Sequence, residues 1–137
     1  MPITSGFNHV ATLTSNMDRT VQFYRDAFDG HVVFEMEAKG DHPKMSIIDL
    51  GGGAALNVFE VAVGDIIGER RKQGHRGAID HYALAVESKE VLEQVKGRLV
   101  AAGAEIGEIQ RLGSEWSLFF RDPDGMELEV CAKADTE

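Results

Sequence analysis

Basic residues, cysteine and proline are all scarce in this 137-residue sequence, and each scarcity excludes something. Lys and Arg total 14 against 23 Asp and Glu, a formal net charge of −9. An excess of negative charge on that scale repels phosphate backbones and anionic headgroups, which argues against nucleic acid or a membrane as partner. The one cysteine, Cys131, has no second thiol in the chain to bridge to, so the fold must rest on a packed core rather than on cross-links. No run approaches the roughly 20 apolar residues that span a bilayer, and the N-terminus MPITSGFNHV lacks the basic and apolar segments of a secretion signal. A soluble, cytoplasmic protein is the expectation. Only 3 prolines interrupt the elements, whereas 15 glycines supply tight turns. With 43% hydrophobic and 27% charged residues, the composition is that of one globular domain.

What is present begins with a strand pattern over residues 7–14 (FNHVATLT), rich in β-branched side chains. Ser15 and Asn16 are good helix N-caps, and Met17, Val21, Tyr24 and Phe28 recur at helical spacing, with Phe23 and Ala27 widening the stripe. Gly30 is the expected stop. Strands are predicted at 31–37, 45–50 and 54–59, joined by Lys39-Gly40-Asp41-His42-Pro43 and by Gly51-Gly52-Gly53, short turns that favour an antiparallel meander. From Glu60 to Gly77 the pattern breaks into a glycine-punctuated stretch with room for a short helix around 66–72, read as a linker. The opening pattern then returns: a strand over 79–87, Ser88 as N-cap, and a helix with Val91, Leu92, Val95 and Leu99 on one face, stopped by Gly103. Strands follow near 105–111, 116–121 and 126–132.

This recurrence is an internal repeat. His9 and His81 lie 81 − 9 = 72 residues apart, each near the start of its strand, and SIIDLGGGAALNVF parallels SLFFRDPDGMELEV with one residue inserted in the turn. Two copies are too few for a solenoid, so the expected fold is α+β, two tandem βαβββ modules: module one over 6–60, a linker over 61–77, module two over 78–132.

Strand parity then sorts the side chains. His9 shares a face with Phe7, Ala11 and Leu13, and His81 with Ala83 and Ala85, while the bulkier alternate set packs on each module's helix. In the last strand Leu128 and Val130 point at the helix, leaving Glu127, Glu129 and Cys131 on the open face; the corresponding strand of module one presents Ala55, Asn57 and Phe59. A lone histidine on such a face is more often a hydrogen-bonded, half-buried residue than a ligand. Two at equivalent positions of a repeat, with a carboxylate of matching parity, make His9, His81 and Glu129 a candidate facial triad for a divalent metal, with Asn57 a weak fourth position. Vacant positions on such a metal let a substrate bind it directly.

The segments FNHVATLT and NMDRTVQFYRDAF, then IDHYALAV, then LFFRDPDGMELEV resemble the vicinal oxygen chelate superfamily, which groups glyoxalase I, extradiol dioxygenases, methylmalonyl-CoA epimerase, fosfomycin-resistance transferases and bleomycin-binding proteins. The resemblance runs roughly from Gly6 to Ala132. It implies paired βαβββ modules whose eight strands form an incomplete barrel around a metal, and a homodimer in which one site can combine strands of both subunits. It places ligands at His9, Asn57, His81 and Glu129. Asn57 departs from glyoxalase I, which carries Glu or His there, because an amide cannot abstract a proton. Methylmalonyl-CoA epimerase has an amide in the comparable place, and extradiol dioxygenases and fosfomycin-resistance transferases use two His and one Glu. Ring-cleaving members add a histidine and a tyrosine for proton transfer; here Tyr82 falls on the opposite face from His81 and Tyr24 lies on a helix. The potassium loop and basic phosphonate contacts of the fosfomycin-resistance members have no matching pattern, Arg111 and Arg121 being the nearby basic residues.

The resulting expectation is a metal-dependent glyoxalase/dioxygenase-type enzyme acting on a small organic substrate, with Fe(II) or Mn(II) favoured over Zn(II) or Ni(II). The alternatives are an antibiotic-sequestering binding protein without catalysis and an epimerase-like enzyme using Asn57. Secondary candidates are Glu127 as a further carboxylate or base, Trp116 and Phe119 read as core or dimer packing ahead of a pocket lining, and Cys131 read as a small buried hydrophobe ahead of a group that tunes or ligates the metal. Arg70, Arg71, Lys72 and Arg76 form a basic linker, and His31, His42 and His75 are expected at the surface.

Overall fold

The computed structural model describes residues 2–3, 6–66 and 81–134. The chain falls into two compact units, Met1–Ile67 and Gly68–Glu137, which correspond to the two halves of the repeat. In the first, strand β1 (His9–Thr14) leads into helix α1 (Met17–Phe28), followed by β2 (His31–Met36), β3 (Met45–Gly51) and β4 (Ala54–Glu60). The sheet order is β1-β4-β3-β2, with β1 parallel to β4 and the rest antiparallel. In the second, β5 (Tyr82–Ala85) and helix α2 (Lys89–Ala101) precede β6 (Glu105–Ile106), β7 (Gln110–Leu112), β8 (Glu115–Arg121) and β9 (Glu127–Lys133). Here β5 lies parallel to β9, β9 antiparallel to β8, and β6 and β7 pair in turn with β8. Each module follows the βαβββ plan that the repeat predicts, with β6 and β7 together filling the place of β2 in the second.

Register corrects one detail of the sequence alignment. Ala11 faces Asn57 and Met45 faces Phe59 in module one; Ala83 faces Glu129 and Ser117 faces Cys131 in module two. All of these correspond at a constant offset of 72 (117 − 45, 129 − 57), so no residue is inserted in the turn. The match of Ser46 to Ser117 is off by one, and Met45 occupies Ser117's place. The two turns reach equal length by different chemistry. Gly51, Gly52 and Gly53 all adopt positive φ, whereas the Asp122 carboxylate accepts the backbone N–H groups of Asp124 (2.9 Å) and Met126 (3.0 Å).

Helix α1 starts where Asn16 Oδ1 accepts the Arg19 amide at 3.0 Å, and α2 where Ser88 Oγ accepts the Val91 amide at 3.2 Å. The predicted stop at Gly30 is displaced: the left-handed residue is Asp29 (φ 57), and Gly30 donates back to the Tyr24 carbonyl at 3.0 Å. Gly30 is needed for room, since a Cβ there would meet Leu50 at 3.1 Å and Ile48 at 3.2 Å. The buried stripe of α1 is Met17, Thr20, Phe23, Tyr24 and Ala27, with Val21 and Phe28 only half-buried. In α2 it is Leu92, Val95 and Leu99. These pack on Ile48, Leu56 and Val58 in one module and on Leu118, Phe120, Leu128 and Val130 in the other.

Three further expectations change. The strand foreseen over 105–111 is two short strands with a break after Ile106. Phe7 precedes β1 and is exposed. A 3₁₀ turn at Val63–Asp65 ends on an extended Ile66, so no helix starts at 66; the rest of the foreseen 66–72 helix, the basic residues from Arg70 to Arg76 and His75 lie outside the described residues.

Candidate metal centre

In β9 the alternation is strict: Leu128, Val130 and Ala132 are buried against α2, and Glu127, Glu129 and Cys131 lie half-buried on the opposite face. The Asp122 turn sets which residue of β9 meets which of β8, and so brings Glu129 opposite Phe119, with Ala83 on its other flank. Alanine at 83 leaves the carboxylate room. The side chain extends to His81 just ahead of β5, whose Nε2 lies 3.0 Å from Glu129 Oε1. Side-chain exposure is 25% for His81 and 13% for Glu129, so the pair is shielded yet reachable. Phe119 sets its ring edge-on to the imidazole, the centroids 5.1 Å apart.

Ser117, fully buried on the same face, donates its hydroxyl to the other oxygen, Glu129 Oε2, at 2.5 Å. Burial pushes the Glu129 carboxyl up, but hydrogen bonds from Ser117, Cys131 and His81, and the charge of His81, outweigh it and hold the group below its ordinary value. On Cys131, burial, its bond to Glu129 and the charges of Glu129 and Glu115 together push the thiol up to about 12. Cys131 is thus placed as a hydrogen-bond donor to the Glu129 carboxylate.

The pair suits a divalent cation. The 3.0 Å contact is a hydrogen bond of ordinary length, and the two groups would be the ones to turn to an ion. Imidazole nitrogen with carboxylate oxygen is a donor set for borderline and hard divalent metals. Among the described residues, no group of three or more His, Cys, Asp or Glu side chains is placed to hold a metal ion.

The remaining candidates fall as follows. His9 is exposed on the open face of β1, its Nδ1 bonded to Asn8 Oδ1 at 2.8 Å. Asn57 is half-buried on the open face of β4, between Ala11 and Ile47. Glu127 stays apart from the pair and lines a groove of about 200 Å³ with Ile106, Gly107, Phe119 and Arg121, whose guanidinium lies 3.7 Å from Glu105. Trp116 follows the packing alternative rather than the pocket lining. Its parity is that of the buried Leu118 and Phe120, and its ring sits under the Lys89 ammonium (4.1 Å) and beside the Arg111 guanidinium (5.6 Å), away from the open face that Phe119 shares. His31 is at the surface near Asp49. His42 is instead half-buried, its ring 5.9 Å from that of Phe59. Ser117 was absent from the sequence candidates, although it has the same parity as Phe119 two residues on.

Comparison with known proteins places this geometry in context. A family model described as the Glyoxalase/Bleomycin resistance protein/Dioxygenase superfamily matches residues 6–130. The Metallothiol transferase FosB of Shouchella clausii (strain KSM-K16) is 35% identical over 133 residues, covering 92% of this chain and 79% of that protein. The glyoxylase/bleomycin resistance protein/dioxygenase domain from Frankia sp. EAN1pec superposes with a TM-score of 0.82 at 27% identity, covering 98% of this chain and 96% of that one. A variant of the fosfomycin resistance protein FosX from Listeria monocytogenes, complexed with Mn(II) and 1S,2S-dihydroxypropylphosphonic acid, shares the fold. Its TM-score is 0.69 at 19% identity, covering 98% of this chain and 93% of that one.

Proposed function

The chain belongs to the Glyoxalase/Bleomycin resistance protein/Dioxygenase superfamily, and from that premise we propose that it is a divalent-metal enzyme acting on a small, oxygen-bearing organic substrate. The observation that carries this reading is the convergence of His81 Nε2 and Glu129 Oε1 at 3.0 Å on a half-shielded face. His81 and Glu129 are the first two ligands. His9, which holds the equivalent place in module one and whose Nδ1 is turned to Asn8, is the third. Asn57 is at most a weak fourth. Mn(II) or Fe(II) fits a mixed nitrogen and oxygen donor set with vacant positions.

When bound, such a metal acts as a Lewis acid on substrate oxygens. The chain's own groups do the positioning. The Phe119 ring walls the imidazole on one side, and Ala83 keeps the space beside Glu129 clear. Within the superfamily, the 35% identity to a metallothiol transferase favours addition of a thiol to a small oxygenated electrophile. In that reaction the sulfur–carbon bond forms as a carbon–oxygen bond opens, and the released oxygen takes the thiol's proton.

Metal content measured by mass spectrometry on native protein, purified without an affinity tag, tests the metal reading against a His9→Ala/Glu129→Ala variant. Near-stoichiometric manganese or iron in the native protein and none in the variant supports it. No metal in either, with none taken up on anaerobic Fe(II) addition, overturns it. Thiol consumption by the Mn(II)-loaded protein, with cysteine as thiol and fosfomycin as the probe electrophile, then tests the reaction class. A metal-loaded protein that consumes no thiol would remove thiol transfer to this probe and leave the metal centre standing.

A further inference from the structure

We infer that Ser117 is a positioning residue: its hydroxyl holds one oxygen of Glu129 so that the carboxylate presents a single oxygen to the metal. The inference rests on Glu129 being a ligand, as proposed above. Ser117 is fully buried in the middle of β8, where a hydroxyl without a hydrogen-bond partner is costly. Its Oγ donates to Glu129 Oε2, while Oε1 is the oxygen that reaches His81. The two carboxylate oxygens are thereby assigned different tasks. Cys131, the cross-strand neighbour of Ser117, adds a weaker donor to the same carboxylate.

The consequence is one of coordination number. A carboxylate beside a divalent cation can turn and bind through both oxygens, filling a second position on the ion. A centre of two histidines and one carboxylate works only while positions stay vacant for substrate. Anchoring Oε2 to a buried hydroxyl prevents that rotation. Module one supplies an internal control. At the position matching Ser117 it has Met45, and at the position matching Glu129 it has Asn57, a neutral amide with one oxygen and nothing to anchor.

The test uses the full-length protein and Ser117→Ala, with Mn(II) affinity read by equilibrium titration and the Co(II)-loaded form read by its d–d absorption. Ser117→Ala is expected to retain one ion per chain with roughly tenfold weaker Mn(II) binding, the scale on which loss of an outer-shell partner acts. Its Co(II) bands are expected to weaken as Glu129 becomes bidentate and the coordination number rises. A structural role for the hydroxyl would leave those bands unmoved. Wild-type affinity together with an unchanged Co(II) spectrum in the variant overturns the inference while leaving Glu129 a ligand. Absence of any bound ion in the wild-type protein overturns the underlying metal reading instead. Should Ser117→Ala not fold, Ser117→Cys, close in volume and a weaker donor, replaces it in both measurements with the same two outcomes.

Discussion

The two modules share a backbone plan and differ in where their hydrogen-bonded polar side chains are buried. In module one the seam between first strand and helix is polar. Thr14 and Thr20 share a hydrogen bond at 2.7 Å with both residues buried, and Glu60 accepts the Met17 amide at 2.7 Å at the start of α1. Adding the offset of 72, those positions become Val86, Leu92 and Ala132 in module two, all apolar. The open faces are reversed. Module two carries His81, Glu129 and Ser117 where module one has His9, Asn57 and Met45. Buried polar groups that are fully paired specify a structure. Polar groups on a half-open face, held by neighbours but still reachable, can do chemistry. The comparison teaches that the buried polar groups of module one hold its helix to its sheet, while those of module two meet on its open face.

The largest test of that asymmetry exchanges ligand positions. Glu129→Gln is expected to weaken Mn(II) binding by about a hundredfold or more, since on the proposed reading it alters a ligand rather than an outer-shell group. Asn57→Ala, at the matching position, is expected to weaken it less than tenfold; equal effects in equilibrium titration would break the comparison.

The seams come next. Leu92→Ala empties a fully buried site in module two and should cost about 2–5 kcal/mol in denaturant unfolding. Thr20→Val, the matching position in module one, keeps the volume, and Thr14 Oγ1 still engages the backbone of Asn16, so about 1 kcal/mol is expected. A smaller cost for Leu92→Ala than for Thr20→Val would reverse the assignment of apolar and polar seams.

Smaller effects sharpen the helix ends. Gly30→Ala pushes a methyl against Leu50 and Ile48 and should destabilise by about 1–2 kcal/mol. Asp29→Gly relieves a left-handed residue and should raise the unfolding free energy by up to about 1 kcal/mol. Stabilisation by the first or loss by the second would show that the end of α1 is held differently from this description.

Much of the fold was legible because its signals are local. The period-2 strands, the caps at Asn16 and Ser88 and the turn at Asp122–Gly125 each depend on a few adjacent residues. The repeat then tied the two halves together, and parity correctly put His81 and Glu129 on one face. The errors share a cause. Trp116 and Phe119 were given one reading between packing and lining, although an odd spacing turns them to opposite faces. Ser117 was passed over because a serine in a strand has no distinctive pattern until the carboxylate opposite it is known. Gly30 was assigned the left-handed turn because glycine usually takes it. Here close approach of Ile48 and Leu50 claims the glycine, and Asp29 accepts the unfavourable φ.

The sequence by itself determined the element types, the duplicated βαβββ plan and which side of each strand meets a helix, because hydrophobic periodicity records burial directly. Only the tertiary structure decided that Glu129 is divided between His81 and Ser117, that the modules correspond at a constant 72 residues, and that a buried hydroxyl pair joins β1 to α1. Those outcomes depend on cross-strand register and on atoms 6 to 48 residues apart in the chain. Register is set by the geometry of turns and the fit of whole faces, which no local pattern contains.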